Sequence, residues 1–312
     1  MSENYYISTY MQLYYSFNNY LQEIFKERVH RISINAAFGC PNLDGTISNK
    51  GCIFCNNSGF AENVDNNLSV EQQIKNTLEF FSSYKRFRNI RKFIAYFQAY
   101  SNTYATLEKL KQTYDIIKKF PQIVGLFIST RPDCIDEEKL KLINSYTDSY
   151  LVWIEYGMQT SNNDILKWLN RGHSFEDFVL AVELTKKFSR IKVAAHIILG
   201  LPGQDVVKEA HAVKNLKLNG VKLHLLHVLK GTYLEKLYSE NKISLLNKDQ
   251  YVKYVCDFLE NIPSDVVILR LISTAKKNYL VAPLWMNDRF SIIEEVKDEL
   301  KSRNSFQGKN IS

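Results

Sequence analysis

Short runs of β-branched and aromatic residues alternate with amphipathic stretches through most of the chain, and this alternation constrains the fold more than any other feature. The runs are Ile32–Ala36, Phe93–Phe97, Val124–Ser129, Leu151–Tyr156, Val193–Leu199 and Val221–Leu229. Between them lie Val70–Tyr84, Leu107–Phe120, Glu137–Tyr146, Asn163–Phe188 and Asp205–Leu218, with Ser69 and Asp136 where helix N-caps belong. Six strand–helix units in about 200 residues imply parallel strands joined by right-handed crossovers. The runs are apolar on both faces, as expected when helices cover the sheet. An open sheet and a barrel share this local pattern.

Residues 1–30 are rich in Tyr and Phe, with Leu13, Phe17, Leu21, Ile24 and Phe25 at helical spacing, and read as a helical extension. Residues 31–230 carry the alternation. Residues 231–312 form an α+β extension and a possible substrate-binding region. It comprises a helix at Lys248–Leu259, a strand at Val266–Ile272, a helix near Ser291–Lys301 and a frayed polar end.

The 312 residues are 45% hydrophobic and 23% charged, which excludes a disordered chain, and Gly (12) and Pro (6) are too scarce for a linker-rich one. The longest nearly apolar stretch, Val193 to Pro202, is too short to span a bilayer. The opening Met-Ser-Glu-Asn-Tyr-Tyr lacks the order of a secretion signal. A cytoplasmic protein without membrane attachment is expected.

Five cysteines in a reducing compartment are not a disulfide framework. Cys134 and Cys256 stand alone and read as small buried hydrophobes. Cys40, Cys52 and Cys55 crowd into sixteen residues full of turn formers, directly after the first strand. Thiols in such an exposed loop read as ligands. Three thiolates suit an iron–sulfur cluster with one iron left open, or zinc with a fourth ligand from elsewhere. His30 and Cys134 are the fourth-ligand candidates, but the first belongs at the far end of its strand and the second in another unit. The candidate site residues fall at the C-terminal ends of different strands, where barrel enzymes keep their chemistry. A barrel is therefore favoured.

The order of motifs resembles the radical S-adenosylmethionine (SAM) superfamily, although its commonest spacing, C-x3-C-x2-C, is here C-x11-C-x2-C. The long spacing is similar to the YhcC/YtqA-type branch, related to the Elongator catalytic subunit and to oxygen-independent coproporphyrinogen oxidase. The residues that carry the likeness are Cys40-Pro41-Asn42, Gly51-Cys52-Ile53-Phe54-Cys55, Tyr96-Phe97-Gln98-Ala99-Tyr100, Thr130-Arg131-Pro132-Asp133, Glu155-Tyr156-Gly157-Met158-Gln159-Thr160 and Gly200-Leu201-Pro202-Gly203. The resemblance implies a partial (β/α)6 TIM-like barrel with a [4Fe–4S] cluster on Cys40, Cys52 and Cys55. The fourth iron is then chelated by SAM, which is cleaved to a 5′-deoxyadenosyl radical.

It further implies SAM contacts at Gln98, Glu155, Gln159, Arg171 and His196, with Gly200 and Pro202 shaping a turn beside the adenine. Gln98 stands where many members have a Gly-Gly-Glu run. Arg171 offers a planar fork to the SAM carboxylate. His224 and His227, three apart on the sixth strand, are expected to face differently, one lining the pocket and one outside. The expected substrate is a tRNA wobble uridine whose carboxymethylaminomethyl side chain becomes aminomethyl. The expected electron source is a low-potential donor such as flavodoxin or ferredoxin. A net charge of +7 permits a polyanionic partner. The basic run Lys85–Lys92 belongs on the barrel face away from the cysteines, so Arg270, Lys276 and Lys277 are better placed to meet RNA. The rival readings are a radical SAM enzyme acting on a small molecule such as a porphyrin, and a non-catalytic zinc-stabilised RNA-binding module.

Overall fold

The helices begin where short polar side chains can accept their first unpaired N–H groups. Ser69, Thr106, Asp136, Ser174 and Asn247 each accept from the backbone N–H three residues on. The computed structural model describes residues 12–56, 68–87 and 89–311. Its elements run α1 Phe17–Phe25, β1 Val29–Ile34, α2 Val70–Ser83, β2 Lys92–Phe97, α3 Leu107–Tyr114, β3 Ile123–Thr130, α4 Glu137–Asn144 and β4 Leu151–Gln159. They continue with α5 Asn163–Trp168, α6 Phe175–Lys186, β5 Lys192–Leu199, α7 Val206–Asn215, β6 Gly220–Leu225, β7 Val228–Leu229 and α8 Tyr233–Ser239. The last are α9 Lys248–Glu260, β8 Val267–Arg270, β9 Leu280–Ala282 and α10 Arg289–Ser302.

Strands β1 to β6 lie side by side in sequence order, all parallel, and β8 adds a seventh beside β6. The result is a partial barrel with helices outside. The extra strand comes from the segment read as a C-terminal extension. Two long runs are also broken. The expected helix Asn163–Phe188 splits into α5 and α6 at Asn170-Arg171-Gly172, where Asn170 (φ 51°) and Gly172 (φ 74°) adopt left-handed backbone. The expected strand Val221–Leu229 splits into β6 and β7, and β7 pairs antiparallel with β9.

No strand pairing joins β1 to β8. Helix α1 fills that gap: Ser16 bridges to Ile268, and the Ile268 N–H donates to the Tyr15 carbonyl at 2.8 Å. Phe17 and Leu21 then pack inside the barrel against Phe127, Trp153, Val267 and Leu269, forming an apolar floor. Side chains one residue along each strand point outward into the larger core, where Ile128, Ile154, Val193 and Leu223 meet Leu110, Leu140, Phe178 and Val213 from the helices.

The chain end is anchored, contrary to the frayed end expected. Gln307 is buried, and its side-chain amide donates to the Pro263 carbonyl at 2.7 Å and the Val266 carbonyl at 2.8 Å. Its Oε1 accepts from the Tyr15 N–H, so one polar residue ties both ends to β8. Among the described residues no helix is long and apolar enough to cross a membrane.

Candidate active site

The cysteine loop leaves β1 and folds on itself: the Leu43 N–H donates to the Cys40 carbonyl at 2.8 Å, the Cys55 N–H to the Cys52 carbonyl at 3.0 Å, and the Gly51 N–H to the Asn42 carbonyl at 2.7 Å. Reciprocal amides then clamp it to the turn between α5 and α6. Asn42 Nδ2 donates to the Asn170 carbonyl at 2.7 Å, and Asn170 Nδ2 to the Gly51 carbonyl at 2.6 Å. The clamp presents Arg171 to the loop. Its Nη2 donates to the Gly157 carbonyl at 3.1 Å and its Nη1 reaches Cys52 Sγ at 3.5 Å. A Cβ at Gly157 would stand 2.5 Å from Arg171 Nη2 and 2.7 Å from Gln159 Nε2, so a larger residue there would push both side chains aside. Arg131, held in a two-pronged pair by Asp133 at 2.6 and 2.8 Å, donates to the Arg171 carbonyl at 2.9 Å. Each arginine keeps one buried N–H group without a partner, Arg171 Nε and Arg131 Nη1.

Cys40, Cys52 and Cys55 line one cavity of about 600 Å³, together with Gln98, Arg131, Gln159 and Arg171. The loop was expected to be exposed, and its tip is, but Cys52 is buried and Cys40 and Cys55 are half-buried, all three lining the cavity. Burial pushes the Cys55 thiol up to about 12; the nearby sulfurs of Cys52 and Cys40 add to the shift, and Arg171 and Arg131 oppose it. A Cys55 thiol whose ionisation is opposed by burial and by two neighbouring sulfurs, beside two guanidinium groups, belongs to a donor set that a cationic iron–sulfur centre satisfies. Among the described residues no three His, Cys, Asp or Glu side chains converge tightly enough for a single ion. Three thiolates match a cluster with one open iron, whereas a closed structural zinc site needs a fourth ligand. Cys134 and Cys256 are buried and line no part of this cavity.

Below the thiols the barrel interior turns polar, which the apolar reading of the strands did not anticipate. Glu155 of β4 is fully buried; it accepts from Tyr96 Oη at 2.8 Å and Lys222 Nζ at 3.0 Å, and meets His196 Nε2 at 2.5 Å. Lys222 also bonds the Tyr96 hydroxyl. Burial opposes ionisation of Glu155, yet Lys222 and His196 outweigh it and hold the carboxyl well below the ordinary range. Burial pulls Lys222 down to about 7, with Glu155 resisting. Burial and then Lys222 bring His196 to about 4, and burial brings His227 to about 4. His224 is depressed in the same way, by burial and then by Arg270. At neutral pH the carboxylate is charged and these imidazoles are neutral.

The structure brings Gln98, Gln159, Arg171 and His196 to the cavity wall as the sequence suggested. Gln159 arrives there on left-handed backbone (φ 67°), at a break in the β4–β5 register. Four placements differ. Glu155 lies in mid-strand beneath the wall, its oxygens turned to Tyr96, Lys222 and His196 rather than to the mouth. Gly200 and Pro202 are not part of the wall; Gly200 (φ 92°) packs under Leu246, Pro202 is exposed, and Ile198 lines the cavity at the end of β5. His224 and His227 both line the cavity, because the strand ends at Leu225 and the chain turns before His227. Arg270 is directed into the barrel, with Nη2 at 3.0 and 3.1 Å from the two His224 ring nitrogens, so it is no surface contact for RNA. Lys85 to Arg91 precede β2, on the face away from the cysteines, and Arg88 lies outside the described residues.

Lys222 and Arg31 are site residues that sequence reasoning passed over, while Tyr96 and Arg131 were noted only as motif residues without a role. The signal for Lys222 was its two-residue spacing from His224, which puts both on one face of β6.

A parallel barrel whose cavity gathers three cysteines and two arginines at the C-terminal ends of its strands has these groups where barrel enzymes keep their chemistry. The radical SAM superfamily profile matches residues 44–228, and that of the radical SAM C-terminal domain matches residues 218–302. The chain belongs to the radical SAM superfamily and is a radical SAM enzyme. YtqA of Bacillus subtilis (strain 168) is 34% identical over 303 residues, 95% of this chain and 92% of that protein, which supports the YhcC/YtqA branch. A tRNA uridine(34) acetyltransferase of Methanocaldococcus jannaschii is 30% identical over 138 residues, 42% of this chain and 25% of that protein. The solved structure of Elp3 from Methanocaldococcus infernus shares the fold, with a TM-score of 0.60 at 17% identity over 89% of this chain and 64% of that one.

Proposed function

We propose that this enzyme holds a [4Fe–4S] cluster on Cys40, Cys52 and Cys55, binds SAM beside it, and acts on a tRNA wobble uridine, converting a carboxymethylaminomethyl side chain to aminomethyl. The observation that carries the reading is the shared cavity: three thiols, two arginines and two glutamines ring its mouth, and a polar chamber continues beneath them. The tRNA part draws support from the partial likeness to an acetyltransferase named for uridine 34 of tRNA.

A cluster held by Cys40, Cys52 and Cys55, with SAM beside it, would supply hydrogen-atom abstraction chemistry to the site. The chain's own residues place and protect. Arg171 and Arg131 offset thiolate charge and carry N–H groups still in need of acceptors. The amides of Gln98 and Gln159 each offer a donor and an acceptor at the rim, which suits the amino acid end of SAM. Phe17 and Leu21 give the chamber an apolar floor. Reduction calls for an external low-potential electron donor such as flavodoxin or ferredoxin.

Comparing tRNA nucleosides from a deletion strain and its parent tests the substrate. The reading expects the carboxymethylaminomethyl form to accumulate and the aminomethyl form to vanish in the deletion strain. Unchanged wobble uridines end the tRNA assignment.

A further inference from the structure

The wall of the cavity carries six cationic side chains, Arg31, Arg131, Arg171, Lys222, Arg270 and Arg289, and among the described residues no Asp or Glu lines it. Arg131 and Arg171 stand beside the cysteines and answer thiolate charge. Arg289 is exposed at the rim. The other three gather deeper. Arg31 lies over the Tyr96 ring with its guanidinium carbon at 5.7 Å, Lys222 lies over the same ring at 4.3 Å, and Lys222 and Arg270 are partners in the β6–β8 register. One carboxylate, Glu155, faces this group, and it already meets Tyr96, His196 and Lys222.

With its histidines neutral, the chamber is therefore short of negative charge by one unit, and by two when Lys222 is protonated. It is also short of acceptors. Arg31 Nη1 and Arg270 Nε are buried donors without partners. Arginine has no acceptor and does not lose its proton in proteins, so such a donor is satisfied only by an incoming acceptor. The electrostatics agree with the count. Burial and then the neighbouring cations Arg270 and Arg31 depress Lys222, and Arg31 adds to the depression of Arg270 by burial. The cations repel one another across the space they enclose.

We propose that Arg31, Lys222 and Arg270 form an anion-binding chamber that takes a carboxylate on the side chain of the substrate, below the thiols and above the apolar floor. The identity of that side chain rests on the proposed tRNA function; the charge of the group bound does not. A carboxylate is an acceptor-only group that can take two N–H bonds at once, and a guanidinium is its natural counterpart. Anchoring the far end of the side chain in this way sets which of its C–H bonds is presented to the mouth.

The test uses the anaerobically reconstituted enzyme and anticodon stem–loops bearing either the carboxymethylaminomethyl uridine or its methyl ester. The free acid is expected to bind roughly tenfold or more tighter than the ester, the worth of one charge-assisted contact. Arg270→Gln should collapse that preference toward one, and Arg270→Lys should keep part of it. Equal binding of acid and ester to the unaltered enzyme overturns the proposal even if both are turned over. If neither RNA binds, the tRNA reading falls and the chamber is probed with acetate alone. Its thermal unfolding temperature should then rise saturably with acetate, more than with chloride at equal ionic strength, and this excess should be lost in Arg270→Gln. Identical responses to acetate and chloride overturn the proposal on that arm.

Discussion

The rim of this barrel and its interior are held together differently. At the rim, Cys52, Arg131 and Arg171 come from three loops and are fixed by the main-chain carbonyls of Gly157, Asn170, Arg171 and Gly51 together with the Asp133 carboxylate that grips Arg131. Deeper in, Tyr96, Glu155, His196 and Lys222 come from four strands and are fixed by one another. The difference teaches where bonding capacity is spent. A rim secured through its backbone leaves sulfurs and guanidinium groups to face a cofactor. An interior secured through its side chains is stiff, and losing one member strands the charge of the next.

The largest effect expected from this contrast is at the rim. Replacing Cys40, Cys52 or Cys55 with Ala should remove SAM cleavage, read as release of 5′-deoxyadenosine after anaerobic reduction, while Cys134→Ala should keep it. Cleavage that survives in the first set would show that the rim is not a cofactor site. In the interior, Glu155→Ala leaves Lys222 buried and unpaired, so unfolding in urea should show a loss of about 3–5 kcal/mol. Adding Lys222→Met should restore much of it. A neutral Glu155→Ala would mean that the strands, not the charges, organise the interior.

Acid separates the regions next. His196 and His227 fall from an ordinary 6.5 to about 4 in the folded chain, chiefly by burial. The unfolded chain therefore binds more protons between those values, and stability rises with pH across the window. It should be fully present above about 6.5 and decline as pH falls toward about 4. His196→Gln should flatten that slope; an unchanged slope would deny His196 its buried neutral state. The smallest effect belongs to the clamp. Asn170→Ala gives up the bond to the Gly51 carbonyl and should cost about 1–3 kcal/mol. It should lower iron retention more than it lowers the unfolding temperature. The opposite order would make the clamp a device of the fold alone.

The rim was legible in the sequence because loops announce themselves: Pro41, Asn42, Gly45 and Gly51 make turns, and three thiols in such a segment have few structural uses. The strands were legible as β-branched runs. Lys222 was not, because a run read as apolar on both faces hides a cation whose meaning depends on Tyr96 and Glu155 from other strands. The place of β8 was hidden for a similar reason, since the chain passes through α8 and α9 before it returns beside β6. Gln307 looked like a solvated tail residue, and only the packing around it gives its side-chain amide three bonds, with a fourth from its backbone N–H to the Leu13 carbonyl.

The central claim is that Cys40, Cys52 and Cys55 act together on one iron–sulfur cluster. Counting metal in the anaerobically reconstituted protein tests it most directly. The account expects a brown protein with about four irons per chain and broad absorbance near roughly 400 nm, both lost when Cys52 becomes Ala. A colourless protein holding a single zinc ion through the same cysteines would contradict it.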